Sequence, residues 1–596
     1  MAETEVLPIP TRGALLRWIG WFGLANGVLA ALIGLRYLLA FGMPESGVAT
    51  LYVSLAFIAQ FAVIGFIPLM LLLAPVALLL PRKSLVILLG VLLAAVGLSI
   101  IILDANIFAQ YRYHLNGMTV AIFETSTWVF TGVIFVVLLG FQFMLADMTW
   151  KQVSKKRNCH GSLLALILTL VWFGGQGIHI WADATAYSPV TSFTRYLPAY
   201  YPMKAKRRLA SLGWVDPDTV EQQRMLRQAD APESGQLAYP LNPLVCNAAD
   251  ASLYNIVFIL IDALRPDKVT AEFTPNIYAL AQQGQNFKYH YSGGNSSRMG
   301  IFSMFYGLPS PYWQVFYDTQ RQPLVMEQLL VNNYEVAAFS AVGFGSPSQI
   351  DRTLFANIDP ASRFVPEGGG DKNHAATAAW RDWLVSRADN TKPAFSFLYY
   401  DPGKSGTVNV DAVDELDQKY QSYLTGVAEI DKDVGLILAD LDVAGQLDNT
   451  LVIVTSDHGY EFDELGLGYV GHASNYGPYQ LRSTLVMHWP DRAAQQFSHR
   501  SAHQDLPATL LQEIFACENS ASDYSSGSNL FKAKNWDWII AGSYNSHAIV
   551  EPDKLVVTNP GGFIELLGPD YRPDPELELD AGVMQDAVIE MRRFYK

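Results

Sequence analysis

Cysteine is scarce in this chain, and its scarcity excludes two classes of small stabilised domain. The 596 residues contain three cysteines, Cys159, Cys246 and Cys517. They form neither a CxxC zinc pattern nor the set of regularly paired cysteines that cross-links small secreted domains. The sequence still allows a single bridge between Cys246 and Cys517.

Charged residues are also few, and they are unevenly distributed. They make up 16% of the chain, and as far as Ala182 there are 10 Lys and Arg against 6 Asp and Glu. The remaining residues include 31 basic and 50 acidic side chains, so this second part has a net charge of −19. Such an acidic surface argues against general binding to nucleic acid, and no nucleic-acid partner is predicted.

Long runs without any charge fill the first 182 residues. A membrane-spanning helix needs about 20 predominantly apolar residues, and five stretches reach or approach this length. Pro68 and Pro75, in the second stretch, predict a kink or an early end of its helix. Five such runs in so short a length argue against buried helices of a soluble core. The predicted spans lie at Trp18–Phe41, within Val48–Leu80, and at Leu85–Leu103, Thr125–Ala146 and Gly161–Ala182.

The loops between these spans predict the orientation, because Lys and Arg collect on the cytoplasmic side of a membrane. Basic residues precede the first span, separate the second from the third, and separate the fourth from the fifth. The N-terminus is therefore predicted to be cytoplasmic, and everything after Ala182 extracytoplasmic. The first run is too long for a signal peptide and lacks a small-residue cleavage site, which predicts an uncleaved anchor. The basic residues are Arg12, Arg17, Arg82, Lys83, Lys151, Lys155, Lys156 and Arg157.

A basic and aromatic segment follows the fifth span. Tyrosine and tryptophan rings next to cationic side chains suit the headgroup layer, where each cation contributes about 1 kcal/mol near an anionic surface. Two interpretations stay open: a specific contact with an anionic lipid or with lipid A phosphates, and a linker that only anchors the chain. The candidate lipid-binding residues are Arg195, Lys204, Lys206, Arg207 and Arg208.

The second part of the chain alternates short apolar strands with helical stretches. This alternation is typical of a largely parallel sheet covered by helices on both faces. Helices are predicted at Thr274–Gln283 and Ala375–Val385, among others. Strands are predicted at Asn255–Ile261, Val336–Phe339, Phe395–Tyr399 and Leu451–Val454.

Two of these strands end in acidic residues, Asp262 and Asp457, and Asp457 is followed by His458. In open α/β sheets, ligands bind in the crevice outside the carboxyl ends of the strands. Carboxylate oxygens and imidazole are ligands that suit a divalent metal. We therefore predict that both strand ends face one metal-binding crevice.

A candidate nucleophile lies in the segment YSGGNSSRMG, where Ser296 and Ser297 precede an apolar helix. A hydroxyl at a helix N-terminus lies beside unpaired N–H groups, which favour an anionic substrate oxygen. The alternative is an ordinary serine cap of that helix.

These motifs together resemble the sulfatase branch of the alkaline phosphatase superfamily. The motifs that carry the resemblance, in chain order, are NIVFILID, GNSSR, TSDHG, the later GH and SAHQDLPATLL, and they extend over roughly Asn255–Cys517. The five spans and this domain are also similar to the membrane-anchored members. Those members make lipoteichoic acid, transfer phosphoethanolamine or regulate lipopolysaccharide synthesis, and the last group is similar over nearly the whole chain.

The resemblance implies one divalent metal ion, Mg, Mn or Zn. By position it implies Asp262, Ser296, Asp457 and His458 as ligands, Ser296 also as nucleophile, and His472 near a substrate phosphate. Ser296 is not followed by the Pro and Arg of the sulfatase signature, so cleavage of sulfate esters is not expected. Asp262 is followed by Ala263 and not by a second acid, so no second metal pocket is expected.

The resemblance also implies a multi-pass protein of the Gram-negative inner membrane. Its domains would be a five-span transmembrane domain at 1–182, an interfacial linker at 183–250 and a sulfatase-like periplasmic domain at 251–596. Its implied partners are lipopolysaccharide, lipid A or an anionic phospholipid, and a membrane protein that controls degradation of the LpxC deacetylase. The implied function is lipid sensing and regulation of outer-membrane homeostasis. The alternative is a metal-dependent phosphatase, or a phosphoethanolamine- or phosphoglycerol-type transferase, acting on lipid headgroups through a serine nucleophile.

Four further residues are ambiguous from the sequence. His488 is expected at a strand end with a backbone partner. His503 and Asp505 either line the crevice or, for Asp505, cap the helix that Pro507 begins. Arg298 either binds a phosphate in a bidentate manner or is solvated.

Overall fold

The structure is a computed structural model, and its chain divides into two compact units, Met1–Ala231 and Pro232–Lys596. It describes residues 11–39, 46–111, 114–115, 120, 123, 125–155, 161–185, 187–205, 208–209, 212–214, 237–404, 415–532, 535–544, 546–558 and 564–595.

Five helices of the first unit are long and apolar enough to cross a membrane. All five predicted spans are thereby confirmed as helices. The second helix continues through Pro68 and Pro75, so the predicted early end is wrong. The helices are α1 (Arg12–Leu39), α2 (Gly47–Leu79), α3 (Lys83–Tyr111), α4 (Thr125–Lys155) and α5 (Gly161–Ala184), followed by the short α6 (Ser188–Thr191) and a 3-10 turn at Ser192–Tyr196.

Helices α1 and α2 pack backbone against backbone. A Cβ added to Gly65 of α2 would lie 2.3 Å from the backbone nitrogen of Gly27 in α1, so only glycine fits there. Such small-residue contacts are typical of helices packed within a membrane. Polar side chains inside the unit pair with each other, since Gln142 Nε2 donates to Asn26 Oδ1 at 2.6 Å.

The second unit is built on an eight-stranded sheet with the strand order β10-β2-β9-β6-β1-β5-β3-β4. All neighbouring strands are parallel except at β9, which runs antiparallel to both β2 and β6. The eight strands of this sheet are β1 (Asn255–Ile261), β2 (Gln285–Tyr291), β3 (Glu335–Ser340), β4 (Arg363–Phe364), β5 (Ala394–Tyr400), β6 (Thr450–Thr455), β9 (Leu485–His488) and β10 (Gln495–Ala502). The two short strands β7 (Glu461–Phe462) and β8 (Val470–Gly471) lie outside it.

Helices cover both faces of this sheet, as the apolar strands predict. Along β1, Ile256, Phe258 and Leu260 belong to one buried cluster, while Val257 and Ile259 belong to the cluster on the opposite face. A strand buried on both sides has no polar alternation, which explains the run NIVFILI. The helices are α7 (Pro275–Gln283), α8 (Ser297–Tyr306), α9 (Trp313–Thr319), α10 (Leu324–Val331), α11 (Lys372–Ser386), α12 (Glu415–Val443), α13 (Pro478–Leu481), α14 (Asp505–Glu513) and α15 (Ala581–Arg592).

A smaller antiparallel sheet lies near the C-terminus, and a disulfide bond closes the domain. Cys246 and Cys517 are bonded, which joins the segment before β1 to the segment after α14. The second sheet has the strands β11 (Ile539–Gly542), β12 (His547–Val550), β13 (Leu555–Thr558) and β14 (Ile564–Leu567) in sequential order. The fold is therefore the predicted one: five apolar helices, then an α/β domain with a large, mostly parallel sheet.

Candidate metal centre

Strands β1 and β6 lie side by side and bring three predicted ligands together. Leu260 of β1 pairs with Thr455 of β6 in parallel register, so the residues after each strand leave the sheet at the same edge. Asp262, Asp457 and His458 each direct one ligand atom there, and these atoms lie within 4.8 Å of one another. This edge of the sheet is the crevice that the sequence predicts.

Asp457 is fully buried, and one of its two carboxylate oxygens is held by the backbone. Oδ1 accepts hydrogen bonds from the N–H groups of Ala263 and His458, both at 3.0 Å. Oδ2 lies 3.6 Å from His458 Nε2. The carboxylate is therefore held in one orientation, with its second oxygen facing the other candidate ligands.

His458 presents Nε2 to the same point. Its Nδ1 lies 2.7 Å from the carbonyl oxygen of Gly459, which can only accept a hydrogen bond, so the neutral ring carries its proton on Nδ1. Nε2 then keeps its lone pair and lies 3.8 Å from Asp262 Oδ1. A neutral imidazole whose other nitrogen donates to a carbonyl is the usual metal-binding form of histidine.

Ser296 caps the N-terminus of α8 through its carbonyl oxygen, which accepts from the N–H groups of Met299 and Gly300. Its side chain is fully buried, and Oγ makes no hydrogen bond within the described part of the chain. The Tyr544 hydroxyl lies close by: burial raises the pKa of Tyr544 and the neighbouring Ser296 hydroxyl lowers it, although the two groups do not reach full hydrogen-bond geometry. A buried hydroxyl without a hydrogen-bond partner costs about 1–3 kcal/mol. A ligand that binds Ser296 Oγ would offset this cost.

Two residues that the sequence did not single out as ligands also reach the cluster. Ser297 Oγ lies 3.2 Å from His458 Nε2, and in the tautomer above the hydroxyl donates. The Tyr399 hydroxyl, at the end of β5, donates to Asp262 Oδ2 at 3.1 Å and lies 3.4 Å from Asp457 Oδ2. Burial, and then the two carboxylates, raise the pKa of Tyr399 well above its ordinary value, so the phenol is neutral.

The sequence contains a usable signal only for the first of these two. Ser297 is adjacent to the predicted nucleophile, so its proximity could have been anticipated. Tyr399 belongs to the apolar and aromatic run FLYY, a pattern that indicates a residue of the hydrophobic core. Its role depends on β5 being the strand next to β1, and sequence patterns do not give strand order.

His472 follows β8 and stacks on His458, with ring centroids 4.4 Å apart. Burial, and then the neighbouring His458, lower the pKa of His472 to about 4, so the ring is neutral at pH 7. Its Nδ1 is buried and has no hydrogen-bond partner in the described residues. The structure therefore places His472 beside the cluster, and its role near a substrate phosphate stays a prediction.

The first turn of α8 presses against the exit of β6. Ser292 Oγ donates to the carbonyl oxygen of Asp457 at 2.6 Å. A Cβ added to Gly300 would lie 2.0 Å from that same oxygen, so the helix can approach only with glycine there. This contact fixes the distance between the serines of α8 and the Asp-His pair.

The four ambiguous residues have structural partners. His488 lies at the end of β9 and its Nε2 is 3.2 Å from the carbonyl oxygen of Leu447, as expected. Asp505 does not cap its helix, because it lies in the first turn and accepts from the N–H groups of Ala502 and Ser528. His503 is buried behind the crevice, with Nδ1 3.2 Å from the Gly300 carbonyl oxygen. Arg298 lies over the rings of Trp313 and Tyr544.

A divalent cation fits these residues. Asp262 and Asp457 hold two carboxylates near each other, and like charges at this distance destabilise each other unless a cation or a proton intervenes. Oxygen and imidazole donors are those that Mg, Mn and Zn use. The buried Ser296 hydroxyl would gain a partner in such an ion, and the lone pair of His458 Nε2, which accepts from Ser297 Oγ in this structure, is the other donor that could turn to it.

The predicted lipid-binding residues lie in the first unit, on a segment that buried side chains of two spanning helices hold in place. From α2, Gln60 Nε2 donates to the carbonyl oxygen of Pro198 at 2.7 Å. From α5, Gln176 Oε1 accepts from the N–H of Met203 at 2.7 Å, and His179 Nδ1 donates to the Met203 carbonyl oxygen at 3.0 Å.

Lys204 and Arg208, on or just beyond this segment, are exposed. Lys206 and Arg207 lie outside the described residues, as does the side chain of Arg195. The segment is therefore fixed as far as Met203, and the structure describes two of its five candidate cations.

Two family models match the chain, one for each part. Residues 254–513 match the family described as Sulfatase, and residues 11–246 match the family described as "Domain of unknown function (DUF3413)". The protein is thus of the class that joins an N-terminal helical part with apolar spanning helices to a sulfatase domain.

The whole chain is similar to the inner membrane protein YejM. It is 28% identical to YejM of Salmonella typhi over 564 residues, covering 92% of each chain. It is also 26% identical to an uncharacterized protein of Haemophilus influenzae, covering 90% of this chain and 89% of the other. The chain is therefore similar to this inner membrane protein over nearly its whole length, and it has five helices long and apolar enough to cross a membrane.

Two solved structures align with part of this chain. A protein in the alkaline phosphatase superfamily from Vibrio parahaemolyticus aligns with a TM-score of 0.47 at 18% identity, covering 62% of this chain and 94% of that one. The lipoteichoic acid synthase LtaP from Listeria monocytogenes aligns with a TM-score of 0.43 at 14% identity, covering 59% and 94%.

Proposed function

We propose that this chain is a lipid-sensing regulator of lipopolysaccharide supply and outer-membrane homeostasis. The N-terminus lies in the cytoplasm and the sulfatase domain in the periplasm of a Gram-negative cell. The distribution of basic loops supports this orientation. The bond between Cys246 and Cys517 supports it as well, because structural disulfides persist in the oxidising periplasm and are rare in the cytosol.

The observation that carries this proposal is the anchored segment before the basic cluster. Three hydrogen bonds from Gln60, Gln176 and His179 hold Pro198 and Met203 against the spanning helices. A linker that only connected two domains would not need buried polar partners. Holding the backbone in place lets the cations that follow meet lipid phosphates at a defined height, with less entropy lost on binding.

The ligand is lipopolysaccharide, through its lipid A phosphates, or an anionic phospholipid. The five candidate cations are Arg195, Lys204, Lys206, Arg207 and Arg208. Binding of the lipid to these cations changes how the spanning helices interact with a membrane-protein partner. That partner controls degradation of the LpxC deacetylase.

Complementation of a strain depleted of this protein tests the proposal. The double variant Lys206→Ala/Arg207→Ala should fail to restore envelope integrity, measured as resistance to a large hydrophobic antibiotic. Ser296→Ala should restore it, and Lys532→Ala, an exposed change in the sulfatase domain, serves as the control. The reverse pattern, with Ser296→Ala failing and the double variant succeeding, contradicts the regulatory function.

We propose, as a second candidate, a metal-dependent phosphatase or a phosphoethanolamine- or phosphoglycerol-type transferase. The buried Ser296 hydroxyl favours it, because this atom lies at the start of α8 and makes no hydrogen bond of full geometry with any described residue. Asp262, Ser296, Asp457 and His458 would hold one divalent ion, Mg, Mn or Zn. When bound, such an ion lowers the pKa of a coordinated hydroxyl and neutralises phosphoryl oxygens.

The residues themselves supply the rest of this chemistry. Ser296 Oγ attacks the phosphorus of a lipid headgroup, the P–O ester bond to the leaving alcohol breaks, and that alcohol takes up the proton that the serine loses. Water, or the hydroxyl of an acceptor, then displaces Ser296 from the phosphorus and gives the serine its proton back. The N–H groups at the start of α8 face the phosphoryl oxygens. His472, a neutral ring beside the cluster, is near enough to donate an N–H to a phosphoryl oxygen when the substrate is bound. Asp457 and the tautomer of His458 keep their orientation because backbone groups hold them.

Metal content and turnover test this second candidate. Purified full-length protein should contain one divalent ion per chain by elemental analysis, and should hydrolyse a soluble phosphate monoester. Asp457→Asn should lose the ion and lower turnover at least 100-fold, whereas Asp448→Asn, an exposed acid in the turn before β6, should lose neither. Turnover that survives chelation, or that persists in Asp457→Asn, contradicts this candidate.

A further inference from the structure

The first unit contains a groove between α1, α2 and α5 that the proposed functions do not use. Its volume is about 680 Å³. On α5, the residues that line it run from Gly161 to Phe173, which corresponds to roughly 18 Å along a helix. The hydrocarbon core of a bilayer is about 30 Å thick, so the groove extends through little more than one leaflet.

The walls of the groove are apolar along most of its length. Its lining includes Phe66 and Ile67 of α2, Leu168 and Trp172 of α5, and Leu24 of α1. None of the described residues that line it is acidic. The groove therefore offers an acyl chain the surroundings of a lipid tail.

One end of the groove is polar and positively charged. Arg17 lines it there and is exposed, and no ion pair of Arg17 occurs among the described residues. Trp21 follows one helical turn later, on the same face of α1. Its indole Nε1 lies 4.0 Å from where a Cβ on Gly161 would be, so it points toward the start of α5.

An arginine with a tryptophan N–H one turn away suits a phosphate at the level of the headgroups. We propose that this groove binds one glycerophospholipid with a net negative headgroup, its phosphate at Arg17 and Trp21 and an acyl chain along α2 and α5. A helix of a partner protein fits less well, because a cylinder 10–12 Å wide and 18 Å long occupies on the order of 1,500 Å³.

This site is separate from the basic segment that follows α5. Arg17 lies at the start of α1, whereas the cations after Met203 follow the opposite end of α5, so the two sites belong to different leaflets. In the orientation proposed above, the Arg17 site faces the cytoplasmic leaflet, but binding at the groove does not depend on that orientation.

Native mass spectrometry of the full-length protein tests the site. The protein carries Lys206→Ala/Arg207→Ala throughout, so that the basic segment does not contribute. It is titrated with phosphatidylglycerol and with phosphatidylcholine of the same acyl chains. We expect about fivefold tighter binding of phosphatidylglycerol, which is what one cation near an anionic headgroup provides.

Four variants separate the headgroup contact from the apolar groove. Arg17→Gln should remove the preference for phosphatidylglycerol, and Ala165→Phe should reduce binding of both lipids by filling the groove. The matched controls are Arg12→Gln, also at the start of α1, and Leu166→Phe, one residue further along α5 and outside the groove lining. Both controls should bind as the parent does.

Three results overturn the proposal. The first is a phosphatidylglycerol preference that persists in Arg17→Gln, and the second is lipid binding unchanged in Ala165→Phe. The third is a stoichiometric polypeptide retained in the spectrum in place of lipid and displaced by Ala165→Phe, which would assign the groove to a protein helix.

Discussion

Gly300 shows how much of the candidate metal centre depends on a single missing side chain. The residue lies in the first turn of α8, where the helix meets the carbonyl oxygen of Asp457. Ser292 and Ser296 flank the same contact, one bonded to that oxygen and the other buried without a partner. The spacing between serines and ligands is therefore set by backbone contact and not by flexible side chains.

Replacing this residue should disturb both stability and metal binding. Gly300→Ala places a methyl group 2.0 Å from the Asp457 carbonyl oxygen, so α8 or the exit of β6 must move. We expect a loss of about 1–3 kcal/mol in the free energy of unfolding, typical of overpacking, together with weaker metal retention. Thermal unfolding and elemental analysis of the full-length protein measure the two effects.

Gly345→Ala is the matched control for this prediction, since a Cβ on Gly345 would meet nothing within 4 Å. It should leave metal content unchanged and stability nearly so. If Gly300→Ala unfolded at the parent temperature and kept its metal, the close approach of α8 would not be rigid.

At the scale of elements, the segment from Pro198 to Met203 is held by helices that precede it by up to 138 residues. Gln60 and Gln176 lie on helices with strongly apolar sequences, where a polar side chain is costly unless it is hydrogen-bonded. Their partners are backbone groups of the segment, so the helices specify where it lies. This explains why a short stretch without regular secondary structure has a defined path.

Removing one anchor should loosen the segment without unfolding the helices. Gln176→Ala leaves the N–H of Met203 without its acceptor, at a cost of about 1–3 kcal/mol. We expect faster hydrogen exchange across residues 197–205 of the full-length protein in micelles, by at least fivefold. Exchange within α1 and α2 should not change.

Thr169→Ala, on the same helix, is the control for this experiment, because its hydroxyl bonds only to the carbonyl oxygen of Ala165 in its own helix. Unchanged exchange in Gln176→Ala would mean that Gln60 and His179 hold the segment alone.

For the whole molecule, the bond between Cys246 and Cys517 closes a loop with a sequence separation of 271 residues. It ties the start of the second unit to the segment after α14. Cross-linking so long a loop restricts the unfolded chain, and removing a native disulfide from a small secreted domain typically costs about 2–5 kcal/mol.

Cys246→Ser/Cys517→Ser should therefore lower the melting temperature of the second unit by roughly 5–15 °C in the full-length protein. The parent protein in reductant should show a similar shift, while Cys159→Ser should show none. Equal melting of the double variant and the oxidised parent would show that the bond adds no stability.

A buried histidine should make the second unit less stable in acid. Burial, and then His503 and His499, lower the pKa of His290 well below its ordinary value. The unfolded chain therefore binds a proton at this residue below about pH 6.5, while the folded chain does not. Stability is fully present above that pH and falls as the pH is lowered, by about 2 kcal/mol at pH 5.

His290→Gln should make the loss of stability between pH 7.5 and 5 less steep, as measured by melting curves of the full-length protein. A part of the loss should remain, because burial also lowers the pKa of His472 and His503, each to about 4. His488→Gln, at a partly exposed strand end, should leave the loss as steep as in the parent. An equally steep loss in His290→Gln would assign the loss of stability to other groups.

The sequence by itself determined where the helices and strands lie. It also determined that the candidate ligands lie at the carboxyl ends of two strands. Hydrophobic runs such as NIVFILI and LVIVT are local signals, and the covered parallel sheet follows from their alternation with helices. The five spanning helices follow from length and composition in the same way. Asp262 directly follows one such strand and Asp457 lies two residues beyond the end of another, so their shared crevice was also predictable.

Only the tertiary structure decided which residues surround those ligands and what anchors the basic segment. Tyr399 reaches the two carboxylates because β5 pairs with β1, and a strand order of this kind arises from contacts far apart in sequence. Gln176 and Met203, and Cys246 and Cys517, are likewise brought together by packing. Their partners are chosen by the free energy of the whole fold, to which local patterns give no direct access.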